Sequence, residues 1–338
     1  MTRRCTDTLT MIDPFSWLAG WIQEHWLIPV LYHFGWMEWE DTSFLWAMFA
    51  IYGVLQVGLN LSVCMPLERF WPLQKWPTRE AVGTDILYTL IARIGLFPLV
   101  TFFLFYQAQT WLSGVLTDRG YIPPTLETTF PMLIDHPVIT FFLYAFLLDF
   151  ADYWRHRFSH IFGWWYGLHA IHHAQEKMTF WSDDRNHLLD DTITYLWAVI
   201  IGLLIGVPPL QFPLLMLMLR FVEGLSHANT RVGFGWLGER LLVSPQFHRV
   251  HHGHKAAGRR SCNFGAVFPW WDMLFRTADF SHDVVETGDP RADRAMIDGG
   301  WWAQQRAGLR LSARLAFRRW GHTTTPAKPS VSTASPNT

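Results

Sequence analysis

Charge is what this sequence has least of. Only 16% of the 338 residues are Asp, Glu, Lys or Arg, and 50% are hydrophobic, against about 25% charged in a typical soluble protein. The length alone would suggest two soluble domains of roughly 150 residues each, but so little charge cannot solvate two globules. Part of the chain must face lipid. A formal net charge of -1 leaves no basic excess for nucleic acid, so no nucleic-acid partner is expected. Cysteine is nearly absent: Cys5, Cys64 and Cys262 are far apart and form no CxxC pair, which excludes a disulfide framework or a thiolate zinc ribbon. Arg3 and Arg4 precede a stretch interrupted by Asp7 and Asp13 with no clean small-residue cleavage site, so no removable signal is expected. Solenoid repeats, haem-attachment motifs, iron–sulfur cysteine clusters and flavin-binding fingerprints are missing as well.

Long uncharged runs are what the chain has instead. Phe44 to Pro66 carries no formal charge over 23 residues, more than the roughly 20 needed to cross a bilayer as a helix. Ile94 to Trp111 is a second such run of 18. Its helix is expected to begin near Ile86, with Arg93 facing protein or an interface and Pro98 as a kink. Val138 to Leu148 is too short alone, but helix-compatible residues extend it through Asp149 and Asp152 to the first histidines. Thr192 to Leu219 has no charge over 28 residues but contains Gly206, Pro208 and Pro209, so two short helices in a hairpin fit better than one rod, crossing fully or not. Arg69, Lys75 and Arg79 between the first two spans, against Arg119 alone between the second and third, place the former loop and everything after Trp154 in the cytoplasm.

The ends differ in character. The first 43 residues hold Trp17, Trp21, Trp26, Trp36 and Trp39, an interfacial segment or a partly buried helix. From Trp301 on there are six basic residues and no acidic ones; Arg306, Arg310, Arg314 and Arg318 recur every four residues beside Leu309, Ala313, Phe317 and Trp320. That stripe reads equally as a helix lying on an anionic leaflet or as a solvated basic helix. Residues 323–338 are rich in Thr, Ser and Pro and are expected to be disordered. The expected organisation is an N-terminal segment 1–43, a transmembrane domain 44–280 and a basic C-terminal segment 281–338.

Sixteen histidines are a costly inventory for a lipid-facing chain and call for a chemical reason. They cluster. His156 and His160 form HxxxH; His169, His172 and His173 form HxxHH; His248, His251 and His252 form a second HxxHH; His187 and His227 fall between. On a helix, positions i, i+3 and i+4 share a face, so each box aims its imidazoles one way. Imidazole suits iron, zinc or copper, and eight box histidines exceed the four or so ligands one zinc needs. Two metal ions are the economical reading. A membrane metal transporter or sensor would also use histidines, but transporters place ligands mid-bilayer on broken helices, whereas these boxes sit at helix ends.

The run from Asp149-Phe150-Ala151-Asp152-Tyr153-Trp154-Arg155-His156 through His160, with Leu168-His169-Ala170-Ile171-His172-His173, Arg185-Asn186-His187, Ser226-His227-Ala228-Asn229, Ser244-Pro245-Gln246-Phe247-His248-Arg249-Val250-His251-His252, Asn263-Phe264-Gly265 and Trp271-Asp272-Met273-Leu274-Phe275, resembles the fatty acid hydroxylase superfamily, also called the sterol desaturase family. The likeness spans 149–277. It implies an all-α, multi-span membrane protein with a cytoplasmic, histidine-rich di-metal cap, in a bacterial inner membrane. It also implies a non-haem oxygenase with two iron ions, zinc being an alternative in purified protein, that uses O2 and external electrons to hydroxylate a lipid such as a fatty acyl chain or sterol. Desaturation and ether-lipid cleavage belong to the same superfamily, and histidine boxes do not separate them. The partners implied are the lipid bilayer, a membrane lipid substrate and an electron donor, a ferredoxin or a cytochrome with its reductase.

Carried over residue by residue, the ligands fall on His156, His160, His169, His172, His173, His187, His227, His248, His251 and His252. Asp149, Asp152, Asp190 and Asn263 are candidates to steady them. Ala174 and Gly253 replace the small polar residue often following each HxxHH, Arg276 replaces a common glycine, and His254 has no counterpart in the pattern.

Overall fold

The computed structural model describes residues 14–75, 82–94, 96–207, 212–253, 261–281 and 285–317. Pro208, Pro209, His254, Arg318 and the 323–338 tail lie outside them. The described chain is helical, its single β-bridge joining Gly253 to Thr287. In order the helices are α1 (Pro14–Ile22), α2 (Ile28–Phe34), α3 (Glu40–Phe70), α4 (Val82–Arg93), α5 (Leu96–Asp118), α6 (Leu126–Thr129), α7 (Pro137–Ile161), α8 (Gly163–His173), α9 (Leu188–Leu204), α10 (Phe212–His227), α11 (Gly235–Gly238), α12 (Pro245–His252), α13 (Trp270–Leu274), α14 (Arg294–Ile297) and α15 (Trp301–Ala316), with a π-helical turn at Gln23–Leu27 between α1 and α2.

Three stretches are long and apolar enough to cross a membrane: Met37–Phe70, Leu99–Asp118 and Pro137–Ile161. Their polarity is arranged inside out. The buried residues of α3 are Ser43, Ala47, Gly53, Gln56, Asn60, Cys64 and Glu68, a small and polar stripe at helical spacing, while Leu45, Phe49 and Val54 point outward. In lipid the outer surface needs no polarity, and close helix contact favours small side chains. Gly53 shows this directly, since a Cβ there would sit 1.8 Å from the Arg93 carbonyl oxygen. Glu40 and Asp41 open α3 and Arg69 lies in its last turn, matching the helix dipole.

The second span differs from its expectation. In place of one helix from near Ile86, α4 runs from Val82 to Arg93 and α5 begins at Leu96, so the interruption comes before Pro98 and not at it. Pro98 falls in the first turn of α5, where its missing N–H removes no helical hydrogen bond. Arg93 faces protein as expected: its guanidinium donates to Asp183, Asp184 and Gln56. The 192–219 region forms the two helices α9 and α10, and neither is long and apolar enough to be a candidate span. In the N-terminal segment α1 packs on α3, while Trp17, Trp21, Trp26 and Trp36 stay exposed.

The ends of α7 and α10 meet the short helices α8 and α12, and these four elements carry the histidine boxes. α15 covers the outer side of α8. Its inner face is Gln304, Gln305, Ala307, Gly308, Leu311 and Ser312, and Ala307 and Leu311 share one core cluster with Tyr166, Ala170 and Ile171 of α8. Ser312 also donates to the Trp164 carbonyl. The approach is close because Gly167 faces Ser312: a Cβ on Gly167 would lie 2.2 Å from the Ser312 nitrogen and 2.3 Å from its Cα. Backbone cannot yield as a flexible side chain would. Gly167→Ala is therefore expected to force α15 off α8 and cost about 1–3 kcal/mol, read as a lower unfolding midpoint in detergent; an unchanged midpoint would contradict this packing.

Candidate metal centre

Nine histidines gather into two adjacent groups. His156, His160, His169, His173 and His251 form one; His172, His227, His248 and His252 form the other, with one candidate ligand atom per residue and all such atoms within 4.8 Å of one another. All but the partly exposed His160 are buried. The HxxHH spacing places His169 and His173 of α8 toward the first group and His172 toward the second, so one helix feeds both. The α12 box does the same, giving His251 to the first group and His248 and His252 to the second. His156 and His160 come from the last turns of α7, and His227 ends α10.

Hydrogen bonds at the outer ring nitrogens set which nitrogen faces inward. His156 Nδ1 donates to the Phe264 carbonyl at 2.9 Å, His251 Nδ1 to the Cys262 carbonyl at 2.7 Å, His227 Nδ1 to the Glu223 carbonyl at 2.8 Å and His169 Nδ1 to Asp190 Oδ2 at 2.9 Å. A ring that donates from Nδ1 presents a bare Nε2 lone pair when neutral. Those lone pairs converge. His227 Nε2 lies 3.2 Å from His172 Nε2 and 3.1 Å from His248 Nε2, which is 3.1 Å from His252 Nε2; in the first group His173 Nε2 is 3.1 Å from His160 Nε2. The Nε2 atoms of His156, His169 and His251 are buried with no hydrogen-bond partner.

Buried acceptors turned toward one another without donors are costly. Protonation does not relieve them: burial first, then repulsion from neighbouring imidazoles, pushes His172, His173, His248, His251 and His252 well below the ordinary histidine range. A cation in each group does relieve them. Ligands about 2 Å from a metal sit roughly 3.0–3.4 Å apart, the spacing of the His160–His173, His172–His227, His227–His248 and His248–His252 pairs. The donor set is all imidazole nitrogen, suited to iron, zinc or copper.

Other expected residues take different roles. His187 is not brought into either group, a correction to the ligand set: its Nε2 donates to the Gln305 carbonyl and its Nδ1 accepts from the Leu189 amide, both at 3.0 Å, so it caps α9 and holds α15. Asp190 accepts from His169 and from Trp165 Nε1. Burial works against its carboxylate, but the His169 hydrogen bond and surrounding positive charge outweigh it and hold the pKa below the ordinary value. Asn263 acts one bond further out. It sits in the left-handed region at φ 57, which asparagine tolerates, and donates to the Phe247 and Asp279 carbonyls. Its two neighbours, Cys262 and Phe264, supply the carbonyls that orient His251 and His156. Asp149 accepts the Val267 and Phe268 amides of the same loop. Asp152 pairs with Arg155 and makes no hydrogen bond to a histidine.

Several supports carried no sequence signal. Asp272 accepts the amides of Phe264 and Gly265, and its place in the Trp-Asp-Met run was the sole hint. The fully buried Arg185 donates to Asp85, to the Ile171 carbonyl beside His172, and to the carbonyls of Met296 and Ile297. Residues 285–291 strap the two box helices together: the Gly288 amide donates to the His252 carbonyl, the Arg249 side chain to the Val285 carbonyl, and the Tyr166 hydroxyl to Asp289.

With this geometry in place, residues 141–277 match the family model described as fatty acid hydroxylase. Among curated proteins, an alkylglycerol monooxygenase of Caenorhabditis elegans is 31% identical over 138 residues, 41% of this chain and 26% of that protein. The human alkylglycerol monooxygenase is 29% identical over 148 residues, 43% and 32% of the two chains. Methylsterol monooxygenase 1-3 of Arabidopsis thaliana is 25% identical over 148 residues, 40% and 46%. The aligned region thus spans less than half of each relative. No solved structure matches. The strap at 285–291 and helix α15 lie beyond the matched region and still hold its histidine helices.

Two variants separate ligand from support. His187→Ala should keep the full metal content of the purified protein, whereas His172→Ala should lose metal; metal loss in His187→Ala would restore it as a ligand. Asp190→Asn should weaken metal binding about 10- to 100-fold in chelator competition, and unchanged affinity would deny it the role of steadying His169.

Proposed function

We propose that the protein is a membrane-bound lipid monooxygenase that holds two iron ions, one in each histidine group, and inserts oxygen into a C–H bond. The observation that carries this reading is the convergence of nine imidazoles, all but His160 buried, at and beside the end of α7, a helix that can cross a membrane. The names of the relatives, which act on alkylglycerols and methylsterols, support a lipid as the substrate. A site that opens from the bilayer side admits an acyl or polycyclic body without passage through water.

The bound ions supply activation of O2. The chain's own groups do the rest. Carbonyls of Glu223, Cys262 and Phe264 and the Asp190 carboxylate fix the rings before anything binds, which removes reorganisation from the reaction. Burial excludes bulk water, so an oxidant generated there meets lipid and is not consumed idly. The net change is lipid–H plus O2, two electrons and two protons to lipid–OH plus water. The electrons must come from outside, from a ferredoxin or a cytochrome with its reductase, because the sequence holds no motif for a redox cofactor of its own. The site would lie on the cytoplasmic face, where such donors are found, a side that the loop charges support. A metal transporter fits less well: these ligands are locked by carbonyls at helix ends, whereas a carried ion must be released.

Comparing the lipids of cells with and without the gene tests this. A lipid class gaining the mass of one oxygen, lost again in the His172→Ala strain, is the expected result. Loss of two hydrogens without oxygen gain would make the enzyme a desaturase, and an iron-loaded protein that consumes no O2 with reductant and membrane lipids would overturn the oxygenase reading.

A further inference from the structure

We infer that the outer face of α15 lies on the headgroups of an anionic bilayer leaflet, so that the helix covering the α8 histidine box is itself a membrane-surface contact. Two properties of α15 carry this. The first is position. Near its N-terminal end Gln305 donates to the Tyr88 hydroxyl of α4 and accepts the Leu188 amide at the start of α9. Near its C-terminal end Leu315 lies against Gly163, at the corner where the span α7 has just ended. The helix therefore runs from the middle of α4 and the start of α9 to the corner at which the candidate span α7 ends. Exposed apolar residues form a rim on its neighbours: Leu87 on α4, Leu189 on α9, and Phe162 and Trp164 at the α7–α8 corner.

The second property is the chemistry of the face. Opposite the residues packed on α8, α15 exposes Arg306, Arg310 and Arg314 together with Trp302 (69% exposed), Leu309 (51%) and Phe317 (89%). No acidic residue follows Asp298, so these arginines have no carboxylate partner from their own segment. Arginine with tryptophan, leucine and phenylalanine on one face is the pattern that binds a bilayer surface, the apolar groups entering the headgroup boundary and the cations meeting anionic lipid. A soluble acidic partner would use the arginines but leave the three large apolar residues without a role, and continuity with the lipid-facing rim favours the leaflet.

The test uses the full chain in lipid nanodiscs, with an environment-sensitive fluorescent amino acid placed at Leu309 and the membrane either phosphatidylcholine alone or phosphatidylcholine with phosphatidylglycerol. In the anionic discs the probe should shift to the blue, be quenched by brominated lipid and be shielded from iodide. Arg306→Gln, Arg310→Gln and Arg314→Gln together should abolish the dependence on phosphatidylglycerol while leaving the unfolding midpoint and metal content intact, because all three side chains are exposed. Equal iodide quenching in both membranes, with none by brominated lipid, would overturn the proposal and leave the face to a soluble partner. Shielding that appears only when two copies share one disc would overturn it in favour of self-association.

Discussion

Nine clustered imidazoles, eight of them buried, with ring nitrogens turned toward one another are the arrangement on which the rest of the structure depends. Left alone, such a cluster is a concentration of unsatisfied acceptors, and burial closes the usual escape by driving His172, His173, His248, His251 and His252 toward the neutral form. The protein spends structure to hold that state. Carbonyls of Glu223, Cys262 and Phe264 take the outer N–H groups, and Asn263, Asp272 and Asp149 hold the loop that carries two of those carbonyls. A cation in each group would offset that cost, and metal binding would then be coupled to the order of the whole histidine domain.

The membrane helices serve the same end. Because their outer surfaces face lipid, the inward faces are free to be polar, and α3 uses this: Glu68 at its end accepts the Phe180 and Asn229 amides, fixing the segments that follow α8 and His227. Arg93, at the break before α5, ties Asp183 and Asp184 into the same layer. Asp183 in turn lies 3.4 Å from His227 Nδ1. A chain poor in charge thus concentrates much of what it has around the metal centre.

Much of this was legible in the sequence. The i, i+3, i+4 spacing of the boxes is a one-dimensional image of a shared helix face, and it covers eight of the nine residues brought together, His227 having been indicated by the family resemblance alone; one box feeding two groups follows from the 3.6-residue turn. Asp190 and Asn263 also lay where support was expected. His187 did not join, because position in a motif does not tell whether a ring's nitrogens are already engaged, and here a carbonyl of α15 and an amide of α9 engage both. The interruption before Pro98 was missed since proline, the more visible signal, is harmless in a first turn. Least legible was the C-terminal third of the support. The strap at 285–291 and the grip of Arg185 on α14 work largely through backbone carbonyls, which every residue has, and so no side-chain pattern announces them.

The most direct test of the account is to locate metal in the protein by anomalous scattering at the iron edge after iron loading. Two peaks are predicted, one among His156, His160, His169, His173 and His251 and one among His172, His227, His248 and His252. A single peak, or a peak at His187 or among the carboxylates with the histidine groups empty, would contradict it.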